Sequence, residues 1–532
     1  MYLRKKIIIG LLVQLLVIQV SFSQKQVWSE TDSEKVERMG WWSDAKFGMF
    51  IHWGVYSAFG GEWNGIDYGK EMGGGSAEWI YLLADIPKEA YEKKAQQFNP
   101  VDYKPAEWVK LAKDAGMKYM VLTTKHHDGF AMFNTKASDW NIVKSSAYKK
   151  DLLKEYIDEC HKQGMRVGIY YSHEKDWYHY KKVRRNAAEV PEDYKKIVKT
   201  HLEELLTNYG QIDLIWFDMG VKRHADLNKM CYDLVRKYQP NCIVSSRIGN
   251  NLGDYENLGD RELASPGSEG YLESIMTLRH NWGYDNNDSN WKPSEEVIAM
   301  LSKCACRNSN FLLNIGPGPD GCFTPEETVR LKDIAKWTKA NGASIYETKG
   351  SPFKGEYKWG SITTQEKKVY LHLFGDENKT INIDGIKTQV NKAYVLGNNT
   401  PVLFTQNTNK ATIIATIPRE IFNQTLPVIV LELASELEVD IEKGPTWIPP
   451  SIHHTKRKET SGILLESDGI NFVLNDQKKQ HSFSINEQIQ YRINDKGSIQ
   501  IVPDFKLIKD NKYKVVCTTG KNPVVEIITL MK

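Results

Sequence analysis

The chain has 532 residues, 41% of them hydrophobic and 11% aromatic, with a formal net charge of +3. That length exceeds what one hydrophobic core serves, so several domains are expected. A near-neutral charge excludes the basic footprint of a nucleic-acid binder or of a protein held electrostatically on acidic membranes.

The chain opens with MYLRKKIIIGLLVQLLVIQVSFSQ, in which Arg4, Lys5 and Lys6 precede an apolar run from Ile7 to Val20. Ser21 and Ser23 supply small residues at cleavage spacing, so residues 1–23 are expected to be a signal peptide and the protein to be exported, to a periplasm or the extracellular space. The apolar run is short for a membrane anchor. This segment carries three positive charges and no negative one, which leaves the remaining chain neutral. No later stretch is apolar enough to span a membrane.

From about residue 45 to 340 one pattern recurs: a helix with apolar spacing, a glycine stop, then a β-rich run. PAEWVKLAKDAG precedes MKYMVLTT, DLLKEYIDECHKQG precedes MRVGIYYS, and YKKIVKTHLEELLTNYG precedes QIDLIWFD. In the last helix Tyr194, Ile197, Val198, Leu202, Leu205, Leu206 and Tyr209 share one face, and Gly210 supplies the left-handed end. The runs YMVL, VGIYY, LIWF and FLLNI are apolar without alternation, as strands covered on both faces should be. Seven or eight such units predict an α/β fold, a (β/α)₈-like (TIM) barrel over residues 24–345. Short strands such as VYLHLFG, ATIIATI and VIVLEL, separated by turn residues, then predict an antiparallel β-sandwich over 346–441. A Pro- and Lys-rich linker, 442–462, leads to a small β-rich domain, 463–532. The seven cysteines (160, 231, 242, 304, 306, 322 and 517) have no paired metal spacing and read mostly as buried small hydrophobes.

In a barrel, the C-terminal ends of the strands build the active site. The first strand, FGMFI, ends in His52-Trp53-Gly54. The second ends in His126-His127-Asp128, the third in Tyr171-Ser172-His173, the fourth in Phe217-Asp218, and the fifth in Arg247. Each residue alone has a structural explanation, but five accidents on one rim are less probable than one site. Zinc or iron could take nitrogen and oxygen ligands from His52, His126, His127 and Asp218. Adjacent histidines diverge, however, and no His-x-His pair follows the first strand. Imidazoles, indoles and a guanidinium around one carboxylate suit a sugar better, whose hydroxyls need fixed donors and acceptors and whose ring face needs an aromatic wall. GPGPDG, residues 316–321, formally matches a dinucleotide fingerprint. Pro317 and Pro319 remove the N–H donors a pyrophosphate requires, and Thr324-Pro325-Glu326-Glu327 caps the next helix by itself.

The stretches WWSDAKFGMFIHWGVYS, EWI, TTKHHDGFAMF, LIWFDMG, NWGYD and NFLLNIGPGPDG, spread over residues 40 to 345, together resemble glycoside hydrolase family 29, the retaining α-L-fucosidases. The resemblance implies that Asp218 is the nucleophile. It implies sugar contacts from His52, His126, His127, Tyr171, Trp216, Arg247 and Trp282, and from Glu62-Trp63 as the family's Glu-Trp pair. Asp128 is expected to hold the turn beneath the histidines. The acid/base is placed at Glu273, just before WGY, with Glu256, Glu262, Glu269 and Asp260 as alternatives. A retaining glycosidase needs two carboxyl groups about 5–5.5 Å apart across the anomeric carbon. The resemblance thus implies exo-acting hydrolysis of fucosylated oligosaccharides or glycoconjugates through a covalent fucosyl-enzyme, with no cofactor and no metal. An enzyme for a related sugar such as an α-L-galactoside, and a non-catalytic sugar-binding homologue, are the rival readings.

Overall fold

The computed structural model describes residues 28–449, apart from 72–75, 185–186 and 375–379, and strand segments between residues 465 and 519. The expected signal peptide and most of the expected linker lie outside the described residues. The chain divides after Ile448 into two compact units.

The first unit is built on an all-parallel, eight-stranded sheet. Its strands are β1 (Phe47–Ile51), β2 (Tyr119–Lys125), β3 (Arg166–Ser172), β4 (Leu214–Asp218), β5 (Ile243–Val244), β6 (Glu256–Asp260), β7 (Leu272–Thr277) and β8 (Ser309–Ile315). They follow the spatial order β5-β4-β3-β2-β1-β8-β7-β6. The sheet curls until its edges meet at a parallel bridge between Ser245 and Tyr255. This is the expected TIM-like arrangement, with one departure from regular βα repetition. Residues 245–255 and 261–271 connect their strands without an α-helix, being barely long enough for a helical crossover.

Side chains alternate across each strand. Trp216, Tyr170, Phe50, Tyr119, Ile275 and Leu312 point into the curled sheet, while Ile215, Phe217 and Tyr171 join the outer core beneath the helices. Gly48 makes room inside: a Cβ there would lie 2.5 Å from the Tyr119 ring. Helix α1 (Asp32–Ala45) begins with the capping box Thr31/Glu34 and sends Met39, Trp42 and Ala45 into the interior cluster, stopping the N-terminal mouth. After β8, the GPGPDG loop returns its own N–H groups to protein: Gly316 N–H donates to Glu327 and Gly318 N–H to the Cys322 carbonyl. The Thr324/Glu327 capping box with Pro325 follows as the sequence predicts.

Beyond residue 349 two antiparallel sheets stack, one of four strands and one of three. In Thr380–Asp384 and Thr412–Thr416 buried and exposed residues alternate, and Ile381, Ile383, Ile413, Ile429 and Leu431 fill the core. In the second unit two further three-stranded sheets are present. Among the described residues no helix is long and apolar enough to cross a membrane. Cys160, Cys231, Cys242, Cys304 and Cys306 are buried free thiols and Cys322 an exposed one.

Candidate active site

Asp218 is the last residue of β4, at the C-terminal rim, paired in register with Ser172 of β3. Its Oδ2 accepts from the Tyr170 hydroxyl at 2.8 Å and lies 3.6 Å from His127 Nε2. Its Oδ1 accepts from the Met219 N–H at 2.8 Å and lies 3.5 Å from Arg247 Nη1. Met219 holds a left-handed φ of 69°. A non-glycine residue there is strained by about 1–2 kcal/mol, so the backbone is bent to aim that N–H at the carboxylate.

Three imidazoles cluster on one side of the site, His127 against this carboxylate, His126 against His127 and Tyr170, and His52 against His126. The pairing of β2 with β3 slips between Thr123 and Lys125, a local irregularity of the kind that re-aims side chains at a rim. Just beyond it the chain leaves the strand, and the rings of His126 and His127 lie only 4.1 Å apart instead of diverging. Asp128 holds this turn: it accepts from the Phe130 N–H and from the Tyr91 hydroxyl. His127 Nδ1 bonds Ser172 and His52 Nδ1 bonds Asn314. His126 Nδ1 is buried without a hydrogen-bond partner. Burial pushes all three imidazoles down, His52 to about 4. Neutral imidazoles each offer one donor and one acceptor, the pattern a sugar hydroxyl pairs with. Aromatic rings complete the wall: Trp282 lies 5.2 Å from His52, and Trp79 meets His127 edge-on at 5.3 Å.

Arg247 links two carboxylates. Its Nη1 approaches Asp218 and its Nη2 donates to Asp260, the last residue of β6. The guanidinium lies over the Trp216 ring at 4.9 Å. The Asp260 side chain is 49% exposed, whereas that of Asp218 is 11% exposed. The site is therefore a nearly buried carboxylate among uncharged imidazoles and aromatic rings, held by one guanidinium that also holds a second, more exposed carboxylate.

The family model described as alpha-L-fucosidase matches residues 14–343 of this chain. The chain belongs to the α-L-fucosidase family. It is a glycoside hydrolase by that membership. Tissue alpha-L-fucosidase from Homo sapiens is 31% identical over 396 residues, covering 70% of this chain and 83% of the human protein. Alpha-L-fucosidase isoenzyme 1 from Paenibacillus thiaminolyticus superposes with a TM-score of 0.67 at 31% identity, over 75% of this chain and 100% of that one. A family 29 α-L-fucosidase from Bacteroides thetaiotaomicron, captured as a covalent intermediate with 2-fluoro-fucosyl fluoride, superposes with a TM-score of 0.69 at 28% identity, over 78% and 99% of the two chains.

Within this fucosidase fold most of the expected residues converge: His52, His126, His127, Trp216, Asp218, Arg247 and Trp282 lie in one cluster. Three expectations are corrected. Tyr171 points outward, its hydroxyl on His201 Nδ1 at 2.9 Å, because it alternates with Tyr170 along β3; Tyr170 is the pocket residue. Glu62 is exposed on the short hairpin Glu62–Asp67, and Trp63 packs edge-on against Phe59. The sequence holds a second Glu-Trp pair, Glu78-Trp79, and it is this pair that borders the pocket: Trp79 contacts His127, and buried Glu78 accepts from the Gly283 N–H beside Trp282. The third correction is Glu273. It is fully buried near the N-terminal end of β7, its Oε1 taken by the Tyr119 hydroxyl and its Oε2 by Trp216 Nε1 and Asn257 Nδ2. Its carboxylate is inside the curled sheet against the indole edge, not at the rim.

The Tyr170 correction has a direct test. Tyr170→Phe removes a donor from an ionic acceptor and is expected to lower kcat/KM for an aryl fucoside roughly tenfold to a hundredfold. Tyr171→Phe is expected to leave kcat/KM within about twofold and to lower stability by about 1–3 kcal/mol, since His201 loses its partner. Steady-state kinetics and thermal melts of both variants distinguish the two faces of β3.

Glu78 carries a pH signature. Burial raises it from the ordinary 4.5 to about 7, more than its backbone bonds and the charge of Arg261 lower it. Between those values the folded protein binds a proton that the unfolded chain has released, so this group's contribution to stability falls as pH rises, by on the order of 3 kcal/mol. The depressed histidines slope the opposite way, so the difference between variants isolates the effect. Glu78→Gln is expected to gain stability relative to the wild type as pH rises from 4.5 to 8, measured by calorimetry. A difference that stays flat with pH contradicts it.

Proposed function

We propose that this protein is an exported, exo-acting, retaining α-L-fucosidase that removes terminal α-L-fucosyl groups from fucosylated oligosaccharides or glycoconjugates. The observation that carries the reading is the nearly buried Asp218, set beside neutral histidines and joined through one guanidinium to a second carboxylate, Asp260. The burial of Asp218, whose side chain is only 11% exposed, supports exo action, because a carboxylate so enclosed suits a terminal sugar. His52, His126 and His127 pair with the sugar hydroxyls, the unpartnered His126 Nδ1 among them. Trp282 and Trp79 cover its apolar faces.

Asp218 attacks the anomeric carbon as the glycosidic bond breaks, giving a fucosyl ester. Asp260, in the place first expected for Glu273, gives its proton to the departing oxygen. It then takes a proton from the water that cleaves the ester, and the two inversions return the original configuration. The sugar parts the Asp260–Arg247 pair as it seats, which frees Asp260 to carry that proton. The chemistry calls for no metal and no cofactor. The proposed domain plan sets the catalytic domain at 24–345, a sandwich at 346–441, a linker at 442–462 and a β-rich tail domain at 463–532, behind a signal peptide over 1–23.

The test is the stereochemistry of the first product. Proton NMR of 4-nitrophenyl α-L-fucoside with the purified full chain should show α-L-fucose before mutarotation. Initial β-L-fucose overturns the retaining mechanism, and absence of hydrolysis alongside fucose binding makes the protein a sugar-binding homologue. Faster release from the α-L-galactoside overturns the substrate assignment.

A further inference from the structure

The burial of Glu273 poses a question that the reaction leaves open. Its side chain is fully buried, and its hydrogen-bond donors Tyr119, Trp216 and Asn257 are uncharged. Burial pushes it up to about 7, against the pull of Trp216, Tyr119 and Tyr255 and of the Arg247 charge. A carboxyl group in such surroundings is unfavourable compared with an apolar side chain of the same volume. Packing therefore does not account for it.

Its partners do. Trp216 offers its ring face to the Arg247 guanidinium at 4.9 Å and its Nε1–H to Glu273 at 2.9 Å. The indole is thus held by its edge while the arginine rests on its face. Asn257 donates to the same Glu273 oxygen, and it is also locked to Ser246: its N–H donates to Ser246 Oγ at 2.9 Å, and Ser246 Oγ lies 3.2 Å from its Oδ1. Ser246 is the neighbour of Arg247 in the chain, and Asn257 shares β6 with Asp260. Two routes, one through a ring and one through an amide, lead from one buried carboxyl group to the guanidinium between Asp218 and Asp260.

We propose that Glu273 is a positioning residue that fixes the Arg247 guanidinium between Asp218 and Asp260, acting through Trp216 and Asn257. The inference rests on the assignment of Asp218 and Asp260 under the proposed function, and it makes Glu273 a group that touches neither sugar nor proton.

The test compares Glu273→Gln with Glu273→Leu on two fucosides, one with a leaving group that needs no protonation (2,4-dinitrophenol) and one with a poor leaving group (methanol or a sugar). Glutamine keeps an oxygen for Trp216 and Asn257 and an amide for the Tyr119 hydroxyl, which then acts as acceptor. It is expected to retain kcat within about threefold. Leucine keeps the volume and removes the acceptors. It is expected to lose about a hundredfold in kcat, the scale of a displaced positioning group, equally on both fucosides and without rescue by azide. Trp216→Phe, which leaves Glu273 in place and removes the indole N–H that joins it to Arg247, should reproduce that loss. The double variant should be no worse than the poorer single one, since both cut the same link.

Three results would overturn the proposal. A folded Glu273→Leu or Trp216→Phe enzyme with wild-type turnover would make the residue structural only. A Glu273→Gln loss as large as that of leucine, confined to the poor leaving group, would make Glu273 the proton donor. A crystal structure of either Glu273 variant or of Trp216→Phe with Arg247 unmoved would refute the coupling whatever the activity. The proposed function fails separately, if the wild type releases no fucose or if loss of Asp260 shows no dependence on the leaving group.

Discussion

Asp218→Asn is expected to abolish turnover of an aryl α-L-fucoside, by about 10⁴-fold or more, the scale on which removal of a nucleophile acts. The fold should survive. Asparagine has the same shape, keeps its oxygen for the Met219 N–H, turns its amide to the Tyr170 hydroxyl, which then acts as acceptor, and leaves Arg247 paired with Asp260. A melting temperature within a few degrees of the wild type is therefore part of the expectation, and it separates lost chemistry from lost structure. Asp218→Gly carries the argument further. With the carboxylate gone, the space between His127 and Arg247 can admit azide, which attacks the anomeric carbon from the same side and yields β-L-fucosyl azide from an activated fucoside. That product would mark the face on which Asp218 acts. Near-wild-type hydrolysis by Asp218→Asn would remove Asp218 from the reaction.

How much of this site was legible in the sequence depended on whether position along a strand sufficed. Asp218, His52 and the His126-His127 pair end apolar strands, and a strand end in a parallel barrel faces the active site whichever way its neighbours turn. Tyr171 failed because choosing it over Tyr170 requires the phase of a period-two pattern, and a strand buried on both faces shows no alternation from which to read a phase. Glu273 failed for a related reason. The resemblance points to the segment before WGY, but the Glu273 side chain points into the sheet near the N-terminal end of β7, and nothing in the local residues shows that β7 begins there. Glu62-Trp63 is displaced by Glu78-Trp79: the dipeptide occurs three times, at 62, 78 and 107, and that repetition is itself the available signal. Glu78 is buried beside Gly283, a contact across some 200 residues that only the tertiary fold supplies.

The fold was legible for a simpler reason. Helix, glycine and apolar strand recur in phase with the βα unit, and the order of the units fixes the order of β1 to β5. Where the pattern lapses, between β5 and β7, the chain joins its strands by loops. It is in that stretch that the acid/base assignment was least constrained by sequence, with five carboxylates between residues 256 and 273 competing for one role.

Asp260 is expected to be the carboxylate that wins, and its substitution should divide substrates by leaving group. Asp260→Ala is expected to lower kcat/KM for a fucosylated oligosaccharide by about 10²–10⁴-fold, the usual contribution of a positioned general acid. For 2,4-dinitrophenyl α-L-fucoside the first step should proceed almost undiminished, because that phenolate leaves without a proton. The fucosyl-enzyme should then accumulate, since no base activates water, and azide should speed its breakdown and give α-L-fucosyl azide. This is the opposite anomer from the one expected of Asp218→Gly, so the two products together place one carboxylate on each side of the sugar. The geometry allows that arrangement because Arg247 reaches both groups with different nitrogens, holding one nearly buried carboxylate and one more exposed. Equal losses on both fucosides, with no azide product, would reduce Asp260 to a partner of Arg247, and the search for the proton donor would turn to Glu262, which accepts from the Gly259 N–H beside it.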